Sequence, residues 1–216
     1  MRLTLSMRRL APAALVLLGL AAALLTLPAS AQQGYSVLDN PQPTDGTGDA
    51  VQVREFFSYG CPHCADFEPL LSEWVADSEG RIDLVHTPIT FGRESWAVLA
   101  RAYYAAEALG ILDQTHRAMF DAIHEQGRRF QSHADVAAFY ASVADVSEAE
   151  VMDALNSFAV SSSLNRGERL AGAYGVRGTP SLGVAGQYLV DVREAGGQRG
   201  MLDVADSLVA TEAGES

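Results

Sequence analysis

Apolar positions along the chain follow two periods, and the switches between them mark out its elements. Val51 to Ser58 (VQVREFFS) is β-branched and aromatic and predicts a buried strand. Ile82 to Thr87 (IDLVHT) predicts a second strand, stopped by Pro88. Between them, from Cys61 onward, Phe67, Leu70, Leu71 and Trp74 recur at i, i+3, i+4 and i+7, the stripe of a helix. From Ser95 the helical period persists. Trp96, Leu99, Ala100 and Tyr103 form one stripe, Ile111 to His124 a second helix ended near Gly127, and Val136, Phe139, Tyr140 and Val143 a third stripe. Ser147 and Glu150 make a capping box ahead of Val151, Met152, Leu155 and Phe158. Ser161 to Tyr174 predicts a further helix, weakened by Gly167 and Gly172. After the turn cluster Gly175 to Pro180, the segments Ser181 to Ala185 and Tyr188 to Val192 predict a hairpin joined by Gly186-Gln187. Met201, Leu202, Ala205, Leu208 and Val209 predict a last amphipathic helix, frayed from Glu212. Residues 32–49 are polar and loop-like, with a short edge strand at Tyr35 to Leu38.

The order is strand, helix, strand, several helices, two strands, helix. It predicts an α/β sheet domain, residues 32–91 and 161–216, interrupted by an all-helical insertion at 92–160. Ahead of it, residues 1–31 predict a cleaved export signal. Arg2, Arg8 and Arg9 precede an apolar stretch, and Ala29-Ser30-Ala31 supplies the small residues of a cleavage site. The longest apolar run, Ala13 to Leu25, is shorter than a membrane span requires. The expected destination is the periplasm, where disulfides persist.

Charge sharpens this. The 216 residues hold no lysine; 15 arginines face 27 acids, for a net charge of −12. Removing residues 1–31 takes away three arginines and no acid, which moves the charge to −15. Such an anion is repelled by nucleic acid and by anionic membrane surfaces.

The candidate chemistry is one tetrapeptide, Cys61-Pro62-His63-Cys64, which holds both cysteines of the chain. A strand that runs into Cys-x-x-Cys at the start of a helix is a redox arrangement. The helix start leaves backbone N–H groups unpaired and is the positive end of the dipole, so a thiolate at Cys61 is stabilised. Pro62 suits the first turn, and His63 can set a positive charge or an N–H donor beside the sulfur. Stabilising the thiolate stabilises the reduced form and makes the disulfide an oxidant. Cys61 is then the sulfur that exchanges with a client, and Cys64 the inner, resolving sulfur. A structural disulfide here would close too short a loop to staple much chain. A zinc site would need two more ligands, and His86, His116, His124 and His133 are scattered, without metal-motif spacing. His116, His124 and His133 are expected on helix surfaces, and Trp74, Trp96, Tyr103 and Tyr104 in packing.

Taken together, these residues resemble the DsbA family of thiol:disulfide oxidoreductases. Glu55-Phe56-Phe57-Ser58-Tyr59-Gly60-Cys61-Pro62-His63-Cys64, continued by Phe67-Glu68, is similar to the family's active-site block. Gly175-Val176-Arg177-Gly178-Thr179-Pro180 resembles its cis-proline loop. The resemblance implies a thioredoxin fold with an inserted helical domain, and a cis Pro180 packed against the cysteine pair. It implies that Thr179 lends its backbone to an extended client peptide, a mode of binding with little sequence selectivity. It also implies that acids at Glu55 and Glu68 move protons to and from the buried thiol. Strand alternation turns Glu55 inward, whereas the rarity of buried glutamate places Glu68 on an exposed helix face. Some members pair the strand glutamate with a lysine of the neighbouring strand. Here that stretch reads Asp83-Leu84-Val85-His86, so Glu55 is expected to lack a partner and to have its pKa raised by desolvation.

The expected function is an exported dithiol oxidase that introduces disulfides into reduced, folding client proteins through Cys61–Cys64, without a cofactor or a metal. By resemblance, a quinone-linked membrane protein of the DsbB type reoxidises it, and it works as a monomer. The alternatives are a reductase or isomerase on the same fold and a non-enzymatic peptide-binding chaperone. The isomerases of the DsbC type carry an N-terminal dimerisation segment, for which residues 32–49 are too short.

Overall fold

The computed structural model describes residues 34–45 and 48–214. The expected export signal and its cleavage point at Ala31 lie outside the described residues. In chain order the elements are β1 (Ser36–Val37), β2 (Val51–Phe57), α1 (Pro62–Asp77), β3 (Ile82–Pro88), α2 (Glu94–Leu109), α3 (Leu112–His124), α4 (His133–Val143), α5 (Glu148–Leu155), α6 (Phe158–Tyr174), β4 (Ser181–Val184), β5 (Tyr188–Asp191) and α7 (Gln198–Glu212). The strands form one sheet in the order β1-β5-β4-β2-β3, with only β2 and β3 parallel among these neighbours. This is the expected α/β arrangement, with helices inserted between β3 and β4.

β2 lies inside the sheet and is buried along its whole length, as its near-continuous apolar composition requires. Its alternation splits the core. Val51 and Val53 pack with Phe67 and Leu71 of α1 and Met201 and Val209 of α7. Phe56 faces the other side, against Ala171 and Tyr174 of α6. The one buried arginine of β2, Arg54, donates to Thr87 Oγ1 at 2.8 Å, Gln52 Oε1 at 3.0 Å and Asp45 Oδ2 at 2.9 Å, so its charge is compensated.

The third core cluster joins the insertion to the end of β2. Leu99 and Tyr103 of α2, Met119 and Phe120 of α3, Phe139 and Tyr140 of α4 and Leu155 of α5 pack together with Phe57, Tyr59, Cys61 and Cys64. Fully burying Phe57 and Tyr59 contributes about 1.5–3 kcal/mol each. The cysteine pair therefore sits at a seam, floored by the sheet and walled by the helices.

Three details depart from the sequence pattern. Phe158 does not complete the apolar stripe of α5. That helix stops at Leu155, Ser157 Oγ accepts the Val160 N–H at 3.1 Å, and this cap starts α6 in a new direction. Phe158 is left 87% exposed as the first residue of α6. The expected division after residue 160 thus falls inside one helix. The hairpin turn is centred one residue earlier than expected, on Ala185-Gly186, whose φ values are 51° and 70°. The Gln187 N–H closes it on the Val184 carbonyl at 2.9 Å, and two left-handed residues match the twist of the paired strands. Gly167 is also more than a weak point in α6. A Cβ there would sit 2.6 Å from Tyr104 Oη and 3.1 Å from Thr87 Cγ2, so its lack of a side chain lets α6 approach α2 and β3.

Candidate active site

β2 ends at Phe57, and Ser58-Tyr59-Gly60 turns the chain into α1. The turn is closed by the Cys61 N–H on the Ser58 carbonyl at 3.0 Å and the Gly60 N–H on Ser58 Oγ at 3.1 Å. Cys61 is the N-cap of α1, in extended backbone, and Pro62 follows at the first helical position. The Cys61 carbonyl starts the helix by accepting from the N–H groups of Cys64 and Ala65. Gly60 is pressed against α2, where a Cβ would meet Trp96 Nε1 at 2.8 Å.

Both cysteines are free and buried, Cys61 at 7% exposure and Cys64 at 0%. Their thiols are driven apart. Cys61 is lowered to about 5, first by the hydrogen bond from Cys64, which outweighs the opposing effect of burial. The Thr179 side chain and the backbone N–H groups of Cys64 and His63 hold it down further. Cys64 is raised well above the ordinary thiol range, first by burial, then by its hydrogen bond to Cys61 and by the Glu55 charge. One sulfur is thus a ready nucleophile and leaving group, and the other holds its proton.

The structure brings the other expected residues to this pair. Cys61 Sγ lies 3.5 Å from the Thr179 carbonyl oxygen, and the Thr179–Pro180 bond is cis. The exposed His63 contributes its backbone N–H to the sulfur, while its carbonyl accepts from Gln198 Nε2 of α7 at 2.7 Å. Beside the Thr179–Pro180 turn a cavity of about 610 Å³ opens, lined by β1, the end of α6, Asp191 and Arg193.

Two acids differ from expectation. Glu55 is buried at 1% exposure, as strand alternation predicts, but it does not lack a partner. His86 lies directly opposite in the parallel ladder, with its Nδ1 2.7 Å from Glu55 Oε2. The pair was legible in principle, because aligning the two strands from their starts, Val51 with Ile82, sets His86 beside Glu55. Glu68 is not on a solvated face. It is 9% exposed, accepts from Ser72 Oγ at 2.8 Å and pairs with Arg117 Nη1 at 3.1 Å. Arg117 belongs to α3 and also bonds Asp121 at 2.7 Å, so the acid ties α1 to the insertion.

Nor are His116 and His124 surface residues. His116 Nδ1 is 2.8 Å from Tyr59 Oη, and His124 Nε2 is 2.7 Å from the Tyr59 carbonyl, so α3 grips the loop that leads into Cys61. Burial, with a smaller effect from the His86 charge, pushes His116 down to about 3, and it is neutral at physiological pH. These contacts join residues far apart in sequence through helix packing, which no local pattern announces. His133 does lie on a helix surface, against Asn156. Among the described residues, no group of three or more His, Cys, Asp or Glu is placed to hold a metal ion. No helix among them is long and apolar enough to cross a membrane.

A family model, the DSBA-like thioredoxin domain, matches residues 52–200. The thiol:disulfide interchange protein DsbA of Burkholderia cepacia is 34% identical over 206 residues, 94% of this chain and 96% of the relative. Its counterpart in Pseudomonas aeruginosa is 33% identical over 183 residues, 85% of each chain. Among solved structures, Pseudomonas aeruginosa DsbA superimposes with a TM-score of 0.77 at 32% identity, covering 84% of this chain and 93% of that one. The oxidoreductase DsbA from Xylella fastidiosa gives 0.77 at 31% identity, covering 83% and 95%. The match spans the strand into the cysteine pair, the helical insertion and the turn at Pro180, and the chain belongs to the DsbA-like thioredoxin family of thiol:disulfide oxidoreductases.

Proposed function

We propose that this protein introduces disulfide bonds into client proteins by thiol–disulfide exchange at Cys61–Cys64. The observation that carries the reading is the opposite displacement of the two thiols, Cys61 to about 5 and Cys64 upward. In the oxidised protein a client thiolate attacks Cys61 Sγ, the bond to Cys64 breaks, and Cys64 leaves with the electron pair and takes up a proton. The client's second thiolate then attacks the client sulfur of the mixed disulfide. Cys61 departs as the thiolate its surroundings favour, and the client is left oxidised by two electrons. Pro62 starts the helix, the His63 N–H helps hold the thiolate, and Glu55 exchanges the Cys64 proton. The Thr179 backbone, beside Cys61 and cis-Pro180, takes the client main chain.

No cofactor enters this cycle. Export to the periplasm, reoxidation by a DsbB-like quinone-linked membrane protein and action as a monomer complete the reading, as does a division into a thioredoxin-like domain and a helical insertion that begins at residue 92 and ends before α6. They are supported by the N-terminal sequence and the family. The test is a single turnover. Oxidised protein mixed with an equimolar reduced, unfolded client should convert two client thiols into one disulfide, and Cys61→Ser should convert none. Thiols that persist with the unsubstituted protein, or oxidation that survives Cys61→Ser, would contradict the reading.

A further inference from the structure

Tyr59 is tied to the insertion at two points. Its buried side chain has Oη 2.8 Å from His116 Nδ1, and its carbonyl oxygen lies 2.7 Å from Nε2 of His124, the last residue of α3. A carbonyl only accepts, so the hydrogen between them lies on His124 Nε2. This second contact falls on a bond with two possible settings. Ser58 to Cys61 is a four-residue turn, closed by the Cys61 N–H on the Ser58 carbonyl at 3.0 Å. Its middle peptide, Tyr59–Gly60, can take two orientations related by a flip. Glycine at the third position readily admits the flipped one, in which its φ is positive. Gly60 instead keeps its φ outside the left-handed region. Two hydrogen bonds hold that setting: the carbonyl of this peptide accepts from His124, and its N–H donates to Ser58 Oγ at 3.1 Å.

Cys61 is the next residue. It is the N-cap of α1, its sulfur is held by the N–H groups of His63 and Cys64, and it lies 3.5 Å from the Thr179 carbonyl oxygen. Hydrogen bonds weaken steeply away from good alignment, so these contacts depend on the direction in which the chain enters the helix. The Tyr59 ring is anchored separately, by His116 and by Phe57, Tyr103 and Phe120 around it. Loss of the His124 donor therefore frees the peptide and not the whole loop.

We propose that His124 is a positioning residue for Cys61: from the helical insertion it holds the Tyr59–Gly60 peptide in one orientation, and so keeps the reactive sulfur in line with the donors that stabilise its thiolate. The proposal rests on the redox reading of Cys61–Cys64. It gives the insertion a part in setting the reactivity of the pair, besides walling the site.

Two readouts test it. Reduced protein is alkylated with iodoacetamide over a range of about pH 3 to 9, and the Cys61–Cys64 couple is equilibrated with glutathione at neutral pH. His124→Phe keeps a ring beside Phe120 but offers no donor. His124→Gln keeps an N–H donor. Ser58→Ala frees the same peptide at its N–H end. His124→Phe should raise the Cys61 midpoint by about one pH unit and make the disulfide about tenfold less oxidising toward glutathione. Ser58→Ala should move both in the same direction, and His124→Gln should stay close to the unsubstituted protein. A loss of packing alone would lower the urea midpoint without separating phenylalanine from glutamine in these two readouts. An unmoved midpoint in His124→Phe or in Ser58→Ala, or a His124→Gln variant displaced as far as His124→Phe, would overturn the proposal. The midpoint of an ordinary thiol in the unsubstituted protein would instead overturn the redox reading on which it rests.

Discussion

Cys61 and Cys64 are one helical turn apart, yet their surroundings favour opposite protonation states. The hydrogen bond from Cys64 is the largest cause of the low Cys61 value. Alkylation of Cys61 by iodoacetamide should therefore show a midpoint near pH 5, and an ordinary thiol midpoint would contradict the assignment. Cys64→Ala removes that donor and should move the midpoint upward. No movement would mean that the backbone N–H groups hold the thiolate unaided. At this scale the sequence was most legible where the chemistry is local: four adjacent residues place two sulfurs at a helix start. Glu55 shows the opposite case. The absence of lysine left it without an evident partner, and His86 comes opposite only once the strands are put in register. Glu68 with Arg117, and Tyr59 with His116, depend on α3 packing, which lies further from the sequence still.

The elements themselves followed from apolar period, capping and turn residues. Where that pattern misled, a competing local bond decided the outcome. The Ser157 cap took Phe158 away from α5, and the Ala185-Gly186 turn displaced the expected hairpin centre. The paired glycines of α6 separate helix propensity from packing. Gly167→Ala would set a Cβ 2.6 Å from Tyr104 Oη and should cost about 1–3 kcal/mol. Gly172→Ala meets nothing within 4 Å and should stabilise by up to about 1 kcal/mol. Urea melts of the two variants measure both. Equal effects would show that α6 does not depend on its close approach to α2. Phe158→Ala, at a side chain 87% exposed, should leave stability within about 0.5 kcal/mol.

At the scale of the molecule, the cysteine pair belongs to the core that joins the insertion to the sheet, so its redox state and the stability of the fold are linked. Cys61 has a folded value near 5, below its ordinary value of 9.0. Its ionisation therefore stabilises the reduced fold above the ordinary value, and the gain is lost as pH falls through about 5. At neutral pH this stabilisation is on the order of 2–3 kcal/mol. The oxidised chain has no thiol to titrate and serves as the control. The melting temperature of the reduced chain, relative to the oxidised one, should fall as pH is lowered from about 7 to 5. A difference that stays flat would remove the link. The same stabilisation of the reduced form makes the disulfide an oxidant, and the most direct test is its equilibrium with glutathione at neutral pH. A Cys61–Cys64 couple more oxidising than the glutathione couple is the expected result, and a couple more reducing than glutathione would contradict it.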